Sequence, residues 1–255
     1  MSFTPQPSTA DLAQRLGASA HCCEVVASSD LTPTLREVVL RGNARTLAGE
    51  PGQDVMVRVE DPAGRFVRRR FSVRSLDAVA DTFSLWVTVD HDGPGVTWAR
   101  TAILGDHVDV IGPRGKIPLA AASRHLFFGD VSALAVSYRM AQSIAAPGAA
   151  TIAIEVDHVD EFVTAPAPEG VEFTGVIVER RGRGHDDPTG LLDALATVAI
   201  PSADVHAYVL GEFHVVKAVR AALADRGLDE TQVSHKAYWR ADRGNAEHGE
   251  PDRDE

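Results

Sequence analysis

Apolar and polar positions alternate over short segments in the first part of the chain. The period of two is clear at residues 54–59, 83–89 and 107–110, and turn residues such as Pro51-Gly52 separate the segments. This period places successive side chains on opposite faces of a half-buried strand. Regularly spaced short strands of this kind predict a small antiparallel barrel over residues 20–119.

After Pro118 the pattern changes to short apolar strands that alternate with amphipathic helices. The strand Leu126-Phe127-Phe128 ends at Gly129-Asp130, and apolar positions then recur every three or four residues from 133 to 144. Further strands are predicted at residues 151–156, 171–178 and 206–210, with helices around 191–198 and 215–223 and a last strand that runs toward residues 238–239. Because such alternation is typical of a parallel sheet covered on both faces, residues 120–240 are predicted to form a Rossmann-like α/β domain.

The two ends of the chain are polar and poor in apolar residues. Residues 1–19 are predicted to be a flexible segment and residues 241–255 a disordered tail. The first residues lack a charged region followed by an apolar one, and no apolar run approaches the length that spans a membrane. We therefore expect a cytoplasmic protein that does not act at a membrane.

Composition narrows the classes of partner and chemistry. The net charge of −11 over 255 residues disfavours nucleic acid as the main partner. The cysteines, Cys22 and Cys23, are adjacent, which favours neither a disulfide nor a zinc or iron–sulfur site, so no metal site is predicted. Hydrolase elbows, zinc-protease helices and Walker loops are absent from the sequence. A monomer is expected, since no exposed apolar helix is evident.

The segment from Arg65 to Arg74 concentrates positive charge, with five arginines among ten residues. At strand spacing, Arg69 and Phe71 share one face, while Arg70 and Ser72 share the other. A cation for phosphate, a flat ring for a flat cofactor and a hydroxyl for a ring nitrogen suit a flavin nucleotide. The alternatives are a solvated strand edge, where charge blocks aggregation, and a barrel-core position for the phenylalanine.

Several short motifs in register carry a resemblance to a known family. They are Arg69-Arg70-Phe71-Ser72-Val73-Arg74, Gly93-Pro94-Gly95-Val96-Thr97-Trp98-Ala99, Gly105-Asp106, Gly112-Pro113-Arg114-Gly115, Gly129-Asp130-Val131-Ser132-Ala133-Leu134, Gly211-Glu212 and Tyr238-Trp239-Arg240. With them the chain resembles, from about residue 22 to 240, the siderophore-interacting proteins, FAD-dependent ferric-siderophore reductases of the ferredoxin-reductase superfamily. The resemblance implies a six-stranded antiparallel β-barrel that binds FAD, followed by a parallel α/β domain that binds NADH or NADPH.

The resemblance also implies roles for particular residues. Arg69 would pair with the FAD pyrophosphate, Phe71 would stack on the isoalloxazine ring, and Ser72 would hydrogen-bond near its N5. The other implied FAD contacts are Val73, Val89, His91, Pro94, Gly95, Val96, Thr97 and Ser132. Asp130, Gly211 and Glu212 would lie on the nicotinamide side. By their place in the motifs and by charge, the candidates to meet an anionic ferric siderophore are Arg74, Lys236 and Arg240; the alternative is that they are solvated surface cations. Catalysis would be carried by the flavin rather than by a catalytic side chain.

The chain departs from the family pattern at positions that bear on the cofactor. Phe71 replaces the usual tyrosine, Val96 replaces a serine, and His91 is displaced from its usual place. Each neutral hydrogen bond lost in this way costs on the order of 1 kcal/mol, about fivefold in affinity. Phe213-His214 puts bulk where small residues are usual. These departures bear on FAD affinity and on the choice of reductant.

The function implied is reduction of iron(III) in a ferric siderophore, with release of iron(II). The electron donor is left open among NADH, NADPH and a reduced ferredoxin. One alternative is a general flavin-dependent NAD(P)H oxidoreductase with another acceptor. The other is a non-catalytic siderophore- or flavin-binding protein with a weakened cofactor site.

Overall fold

The computed structural model describes residues 8–241, except 116 and 202. Its first part is a closed barrel of antiparallel strands in the order β1-β2-β5-β4-β3-β6. The strands are β1 (Ser19–Asp30), β2 (Leu35–Arg41), β3 (Asp54–Glu60), β4 (Phe66–Asp77), β5 (Thr82–Thr88) and β6 (His107–Arg114). The six-stranded antiparallel barrel predicted from the sequence is confirmed.

The barrel interior is built from the inward-facing half of each alternating strand. Val55, Val57 and Val59 of β3 are buried, as are Phe83 and Leu85 of β5. Helix α3 (Pro94–Thr101) lies between β5 and β6 and adds its own buried side chains to this core. The alternation seen in the sequence therefore corresponds to the barrel interior.

Two short helices in this part were not predicted from the sequence. Helix α1 (Thr9–Arg15) lies within the segment predicted to be flexible, and the Ser8 side chain accepts a hydrogen bond from its Asp11 N–H at 3.1 Å. Helix α2 (Ala44–Ala48) is too short to show a helical period. Its first turn is instead held by Asp81, which accepts from the Ala44 N–H at 2.8 Å. The predicted tail lies outside the described residues, except for Ala241.

The second part is a parallel sheet in the order β11-β10-β7-β8-β9, as the alternating pattern predicted. Its strands are β7 (Arg124–Asp130), β8 (Gly148–Val156), β9 (Val171–Glu179), β10 (Val205–Glu212) and β11 (Val233–Trp239). Helix α4 (Val131–Ala141) covers one face, while α5 (Thr189–Thr197) and α6 (Phe213–Asp225) cover the other. The carboxyl ends of the parallel strands all lie along one edge of this sheet.

The face covered by α4 packs against the barrel. Leu35 of the barrel belongs to the same buried cluster as Tyr138 of α4. Buried Arg139 donates to the Ala48 carbonyl of α2. This packing holds the carboxyl edge of the sheet against the barrel wall. Among the described residues, none of the helices has both the length and the apolar character needed to cross a membrane.

Candidate functional site between the barrel and the parallel sheet

A cleft of about 540 Å³ lies between the barrel and the carboxyl edge of the parallel sheet. Its barrel wall comes from β4, β5 and the start of α3, and its other wall comes from the ends of β7, β8, β9 and β11. Ligands of open α/β sheets bind at this edge, where helix N-termini and loop side chains converge. The cleft is therefore the candidate functional site.

Arg69, Phe71 and Gly95 form a close group on the barrel wall. A Cβ atom at Gly95 would lie 3.0 Å from Phe71 Cζ and 3.2 Å from Arg69 Cγ, so a larger residue would crowd both side chains. The Phe71 ring also packs on Trp98, with 5.6 Å between ring centroids. Phe71 is half-buried, so it belongs to the edge of the barrel core as well as to the cleft. The barrel-core interpretation of this ring therefore holds in part, and its exposed part lines the cleft.

Arg69 carries unused hydrogen-bonding capacity into the cleft. One of its terminal nitrogens donates to the Arg68 carbonyl at 3.0 Å. Its Nε is buried and has no hydrogen-bond partner within the described part of the chain. Burial lowers the pKa of the Arg69 guanidinium, while Asp61 acts in the opposite direction. A bound anion would supply the missing acceptor and restore favourable surroundings for the charge.

The N-terminus of α3 opens into the cleft beside Arg69. Pro94 occupies its first turn, and no side chain caps the helix at Gly93. The N–H groups of Gly95 and Val96 lie in this first turn, where helical N–H groups lack partners within the helix. A guanidinium beside such N–H groups is a favourable place for phosphate. These residues fit a flavin pyrophosphate, with Phe71 as an adjacent apolar surface.

A charged seam joins the barrel to the far wall of the cleft. The buried carboxylate of Asp54 accepts three hydrogen bonds from Arg70, at 2.9, 2.7 and 2.6 Å, and one from Lys236 at 2.9 Å. Burial lowers the pKa of Lys236, and the neighbouring Asp54 carboxylate opposes that shift. Asp54 thus neutralises part of the positive charge that the cleft presents.

Tyr238 lies two residues beyond Lys236 on β11. Like Lys236, it bonds to the β3–β4 strand pair of the barrel. Its side chain is hydrogen-bonded to Ser72, which stands opposite Asp54 in the β3–β4 ladder. Burial raises the pKa of the Tyr238 phenol, so it remains a neutral hydroxyl at physiological pH. Tyr238, a residue of the parallel sheet, thereby orients the Ser72 side chain of the barrel.

Asp130 ties three elements together at the carboxyl end of β7. Its Oδ1 accepts from the Ser132 N–H at 2.8 Å and from the Ser132 hydroxyl. Its Oδ2 accepts from the Glu212 N–H at 2.9 Å and from Trp239 Nε1 at 3.0 Å. A Cβ at Gly211 would lie 2.4 Å from that Oδ2, so only glycine fits this position. Asp130 therefore fixes the base of the cleft.

The ends of β8 and β9 carry an ion-pair network at another part of the cleft. Arg180 Nε lies 2.7 Å from Asp157 Oδ1, and an Arg180 terminal nitrogen lies 2.8 Å from Glu155 Oε2. A terminal nitrogen of Arg183 lies 3.1 Å from the other oxygen of Glu155. Burial raises the pKa of Glu155, while both arginines oppose the shift. Asp157 and Arg180 line the cleft.

The structure brings most, but not all, of the predicted site residues to the cleft. Those that line it are Arg69, Phe71, Ser72, His91, Gly95, Val96, Asp130, Ser132, Lys236 and Arg240. Those that do not are Val73, Arg74, Val89, Pro94, Thr97, Gly211 and Glu212. Of these, Val73 is fully inside the barrel core, and Thr97 is exposed to solvent. Glu212 is buried as the cap of α6, where its side chain accepts from the Val215 N–H at 3.0 Å.

Arg74 differs most from its predicted position at the mouth of the cleft. It donates to Gln142 at 2.8 Å and stacks over Trp86 and Tyr138, at 4.8 and 5.7 Å from their ring centroids. The β4–β5 ladder shifts register between Val73 and Ser75, so Arg74 lies in a bulge. A bulge turns its residue away from simple alternation, and neither the motif nor the charge of Arg74 reveals it.

Several residues that line the cleft were not predicted from the sequence; they include Asp54, Trp86, Asp157, Arg180 and Tyr238. Tyr238 and Lys236 share a strand face at spacing of two, and Asp157 and Arg180 directly follow strands. Their place beside the predicted strand ends could have indicated a position at the carboxyl edge of the sheet. No comparable sequence feature indicated a role for Asp54.

Two family models match the chain. The model for the siderophore-interacting FAD-binding domain matches residues 57–117, and the model for siderophore-interacting proteins matches residues 122–242. An FAD-binding domain is thus assigned to the barrel. This agrees with the anion cradle there, formed by the Arg69 guanidinium together with the first-turn N–H groups of Gly95 and Val96 in α3.

Individual relatives extend over most of the chain. An uncharacterized protein of Mycobacterium tuberculosis is 29% identical over 89% of this chain and 92% of its own. The ferric vibriobactin reductase ViuB of Vibrio cholerae is 25% identical over 70% of this chain and 66% of its own. A siderophore utilization protein from T. fusca superposes with a TM-score of 0.77 and 27% identity, over 91% of this chain and 96% of its own.

More distant solved structures share the fold. A ferredoxin NADP+ reductase from Neisseria gonorrhoeae, with bound FAD and NADP, has a TM-score of 0.65 at 17% identity. It covers 86% of this chain and 99% of its own, so the barrel and sheet together have the ferredoxin-reductase fold. Since both family models match in chain order and the structural match covers 91% of the chain, this chain belongs to the siderophore-interacting protein family.

Proposed function

We propose that the protein is an FAD-dependent reductase that passes electrons from NADH or NADPH to iron(III) in a ferric siderophore and releases iron(II). The observation that carries this proposal is the cleft itself. It joins an anion cradle on the barrel, at Arg69 and the start of α3, to the carboxyl edge of a parallel sheet. The name of the related ferric vibriobactin reductase supports the choice of substrate.

The barrel wall would hold the flavin. Arg69 and the N–H groups of Gly95 and Val96 would bind its pyrophosphate, and Phe71 would contact its ring system. Ser72, held by Tyr238, would donate or accept a hydrogen bond beside that ring. When bound, FAD supplies the ability to accept two electrons together and to release them one at a time.

The far wall would meet the electron donor and the substrate. Asp130 fixes the end of β7 and accepts a hydrogen bond from the indole of Trp239, and both side chains line the cleft. Lys236 and Arg240 place two positive charges on this wall, and these would attract an anionic ferric chelate. Oxygen donors hold hard iron(III) far more tightly than softer iron(II), so reduction alone frees the metal.

An anaerobic absorbance experiment tests the proposal. The full chain, loaded with FAD, is mixed with NADH or NADPH and then with a ferric siderophore, while an iron(II)-specific dye reports the product. We expect the flavin absorbance to bleach with the nucleotide, to return with the siderophore, and iron(II) to form. The same siderophore loaded with gallium(III), which is not reducible here, is the matched control and should leave the flavin bleached.

Two outcomes would favour the alternatives. A flavin that is reduced by the nucleotide but reoxidised only by a quinone or another acceptor would indicate a general oxidoreductase. A purified chain that gains no flavin absorbance, even with added FAD, would indicate a non-catalytic binding protein.

A further inference from the structure

Two neighbouring strands of the parallel sheet end at the cleft in charged residues. Asp157 directly follows β8, and Arg180 directly follows β9; both side chains line the cleft. In α/β nucleotide sites, the residue after the strand next to the first βα turn contacts the adenosine ribose. A carboxylate there binds the 2′-hydroxyl of NADH, while an available arginine accommodates the 2′-phosphate of NADPH. The state of these two side chains therefore decides which nucleotide fits.

Arg180 is already engaged on both sides. Its Nε bonds to Asp157 at 2.7 Å, and a terminal nitrogen bonds to Glu155 at 2.8 Å. The Arg180 side chain is only 6% exposed, and that of Glu155 is 2% exposed. Turning Arg180 toward a phosphate would remove one of the partners of a buried carboxylate, which is strongly unfavourable. Arg180 is thus a structural cation rather than a phosphate ligand.

The other arginines of this loop also have acceptors, Arg183 in the same buried network and Arg181 at the exposed surface. Arg183 bonds to Glu155 at 3.1 Å and to the Glu179 carbonyl at 2.9 Å. Arg181 pairs with Glu179 at 3.4 Å and is not among the residues that line the cleft. Each arginine near the end of β9 therefore already has an acceptor, and the loop presents little net positive charge.

Asp157, in contrast, keeps its carboxylate accessible. Its side chain is 40% exposed, and only its Oδ1 bonds to Arg180. Glu161, which also lines the cleft, adds a second negative charge and accepts from the Asp157 N–H at 2.8 Å. A carboxylate so placed can accept hydrogen bonds from ribose hydroxyls. It would repel a phosphate group at the same position.

We propose that Asp157, oriented by Arg180, is the specificity-determining contact that makes this cleft a site for NADH rather than NADPH. The inference rests on the proposed function and names the electron donor for it. Asp157 is the ribose contact in this proposal, and Arg180 is the positioning residue that holds its carboxylate toward the cleft.

Binding of redox-inert fragments tests the inference without turnover. The FAD-loaded full chain is titrated by calorimetry with ADP-ribose and with 2′-phospho-ADP-ribose, which differ only by the 2′-phosphate. We expect ADP-ribose to bind at least about tenfold more tightly, since a charged hydrogen bond is gained in one case and like charges meet in the other. In Asp157→Asn the preference should fall to within about threefold.

Asp160→Asn is the matched control. Asp160 lies in the same short loop and is exposed, but it does not line the cleft. This variant should keep the wild-type preference for ADP-ribose. The flavin content of each variant is measured alongside, so that loss of FAD is not taken for loss of nucleotide.

The outcomes separate this inference from the function on which it rests. Equal or tighter binding of 2′-phospho-ADP-ribose to the wild type would overturn the inference, even if both nucleotides reduce the flavin. Loss of FAD from Asp157→Asn, with the fragment preference unchanged, would overturn it as well, because the carboxylate would then serve the flavin. If neither fragment binds and neither nucleotide reduces the flavin, the nicotinamide step of the proposed function fails too.

Discussion

Replacing Arg69 should weaken FAD binding without weakening the fold. The guanidinium lines the cleft, and its buried Nε has no acceptor within the described residues. A bound pyrophosphate would supply that acceptor, and a hydrogen bond between charged groups contributes about 1.5–3 kcal/mol. Arg69→Ala should therefore raise the dissociation constant of FAD about 10- to 100-fold. Arg69→Lys keeps the charge but loses the planar fork, so its effect should be smaller.

The stability of the FAD-free protein separates this role from a structural one. Because burial lowers the pKa of the Arg69 guanidinium, its charged form is disfavoured in the fold. Removing it should leave the free energy of unfolding unchanged or slightly higher. A structural arginine would instead lower that free energy when it is replaced by alanine.

The assay is titration of the FAD-free chain with FAD, followed by quenching of flavin fluorescence. Arg41→Ala is the matched control, since exposed Arg41 of β2 pairs with Glu24 at 3.5 Å and does not line the cleft. Its FAD affinity should equal that of the wild type. The reasoning is refuted if Arg69→Ala binds FAD within twofold of the wild type, or if both variants lose affinity equally.

Three further predictions concern the base of the cleft, its charge and acid stability. Asp130→Asn turns an amide NH₂ toward two donors in either orientation, because each carboxylate oxygen of Asp130 accepts two hydrogen bonds. Thermal unfolding should therefore show a free energy of unfolding lower by about 2–4 kcal/mol and a Tm lower by about 5–15 °C. The control Asp229→Asn, at an exposed helix cap, should keep a Tm near that of the wild type. A wild-type Tm for Asp130→Asn would contradict this role. Asp54→Asn removes the negative charge that Arg70 and Lys236 share, so the KM for an anionic ferric chelate such as ferric citrate should fall about fivefold. The KM for a cationic chelate should not fall; an equal change in both would argue against an electrostatic effect. Finally, burial lowers the pKa of His125 and of His206 below the ordinary 6.5, so both are neutral in the fold. Their contribution to stability is complete above pH 6.5 and is lost as the pH falls from there toward the lowered values; a urea midpoint that is the same at pH 7.5 and 5.5 would contradict this.

Much of the fold was predictable because hydrophobic periodicity depends on local geometry. The barrel strands alternate with a period of two, and the second part alternates between strands and helices, so both architectures follow from spacing alone. Helix α2 was not predicted because five residues show no helical period. The carboxylate that accepts from its first N–H belongs to Asp81, far along the chain. Helix α1 was not predicted because its sequence is as polar as that of a flexible segment.

The candidate site was predictable where one strand or one turn carries it. Arg69, Phe71 and Gly95 lie on β4 and at the start of α3, and their residue types already indicate a flavin site. The seam at Asp54 and Lys236 was not predictable, because it joins residues 182 positions apart through the packing of two domains. Arg74 was assigned to the substrate by its place in the motif and by its charge, and neither of these reveals the bulge in which it lies.

The most direct test of the proposed function is the stoichiometry of iron(II) formed per nicotinamide oxidised. The FAD-loaded chain is supplied with a limiting amount of NADH and an excess of ferric siderophore without oxygen. A hydride carries two electrons and each iron(III) takes one, so we expect two iron(II) ions for each NADH consumed. Oxidation of NADH without iron(II), or a flavin that stays reduced in the presence of the ferric siderophore, would contradict it.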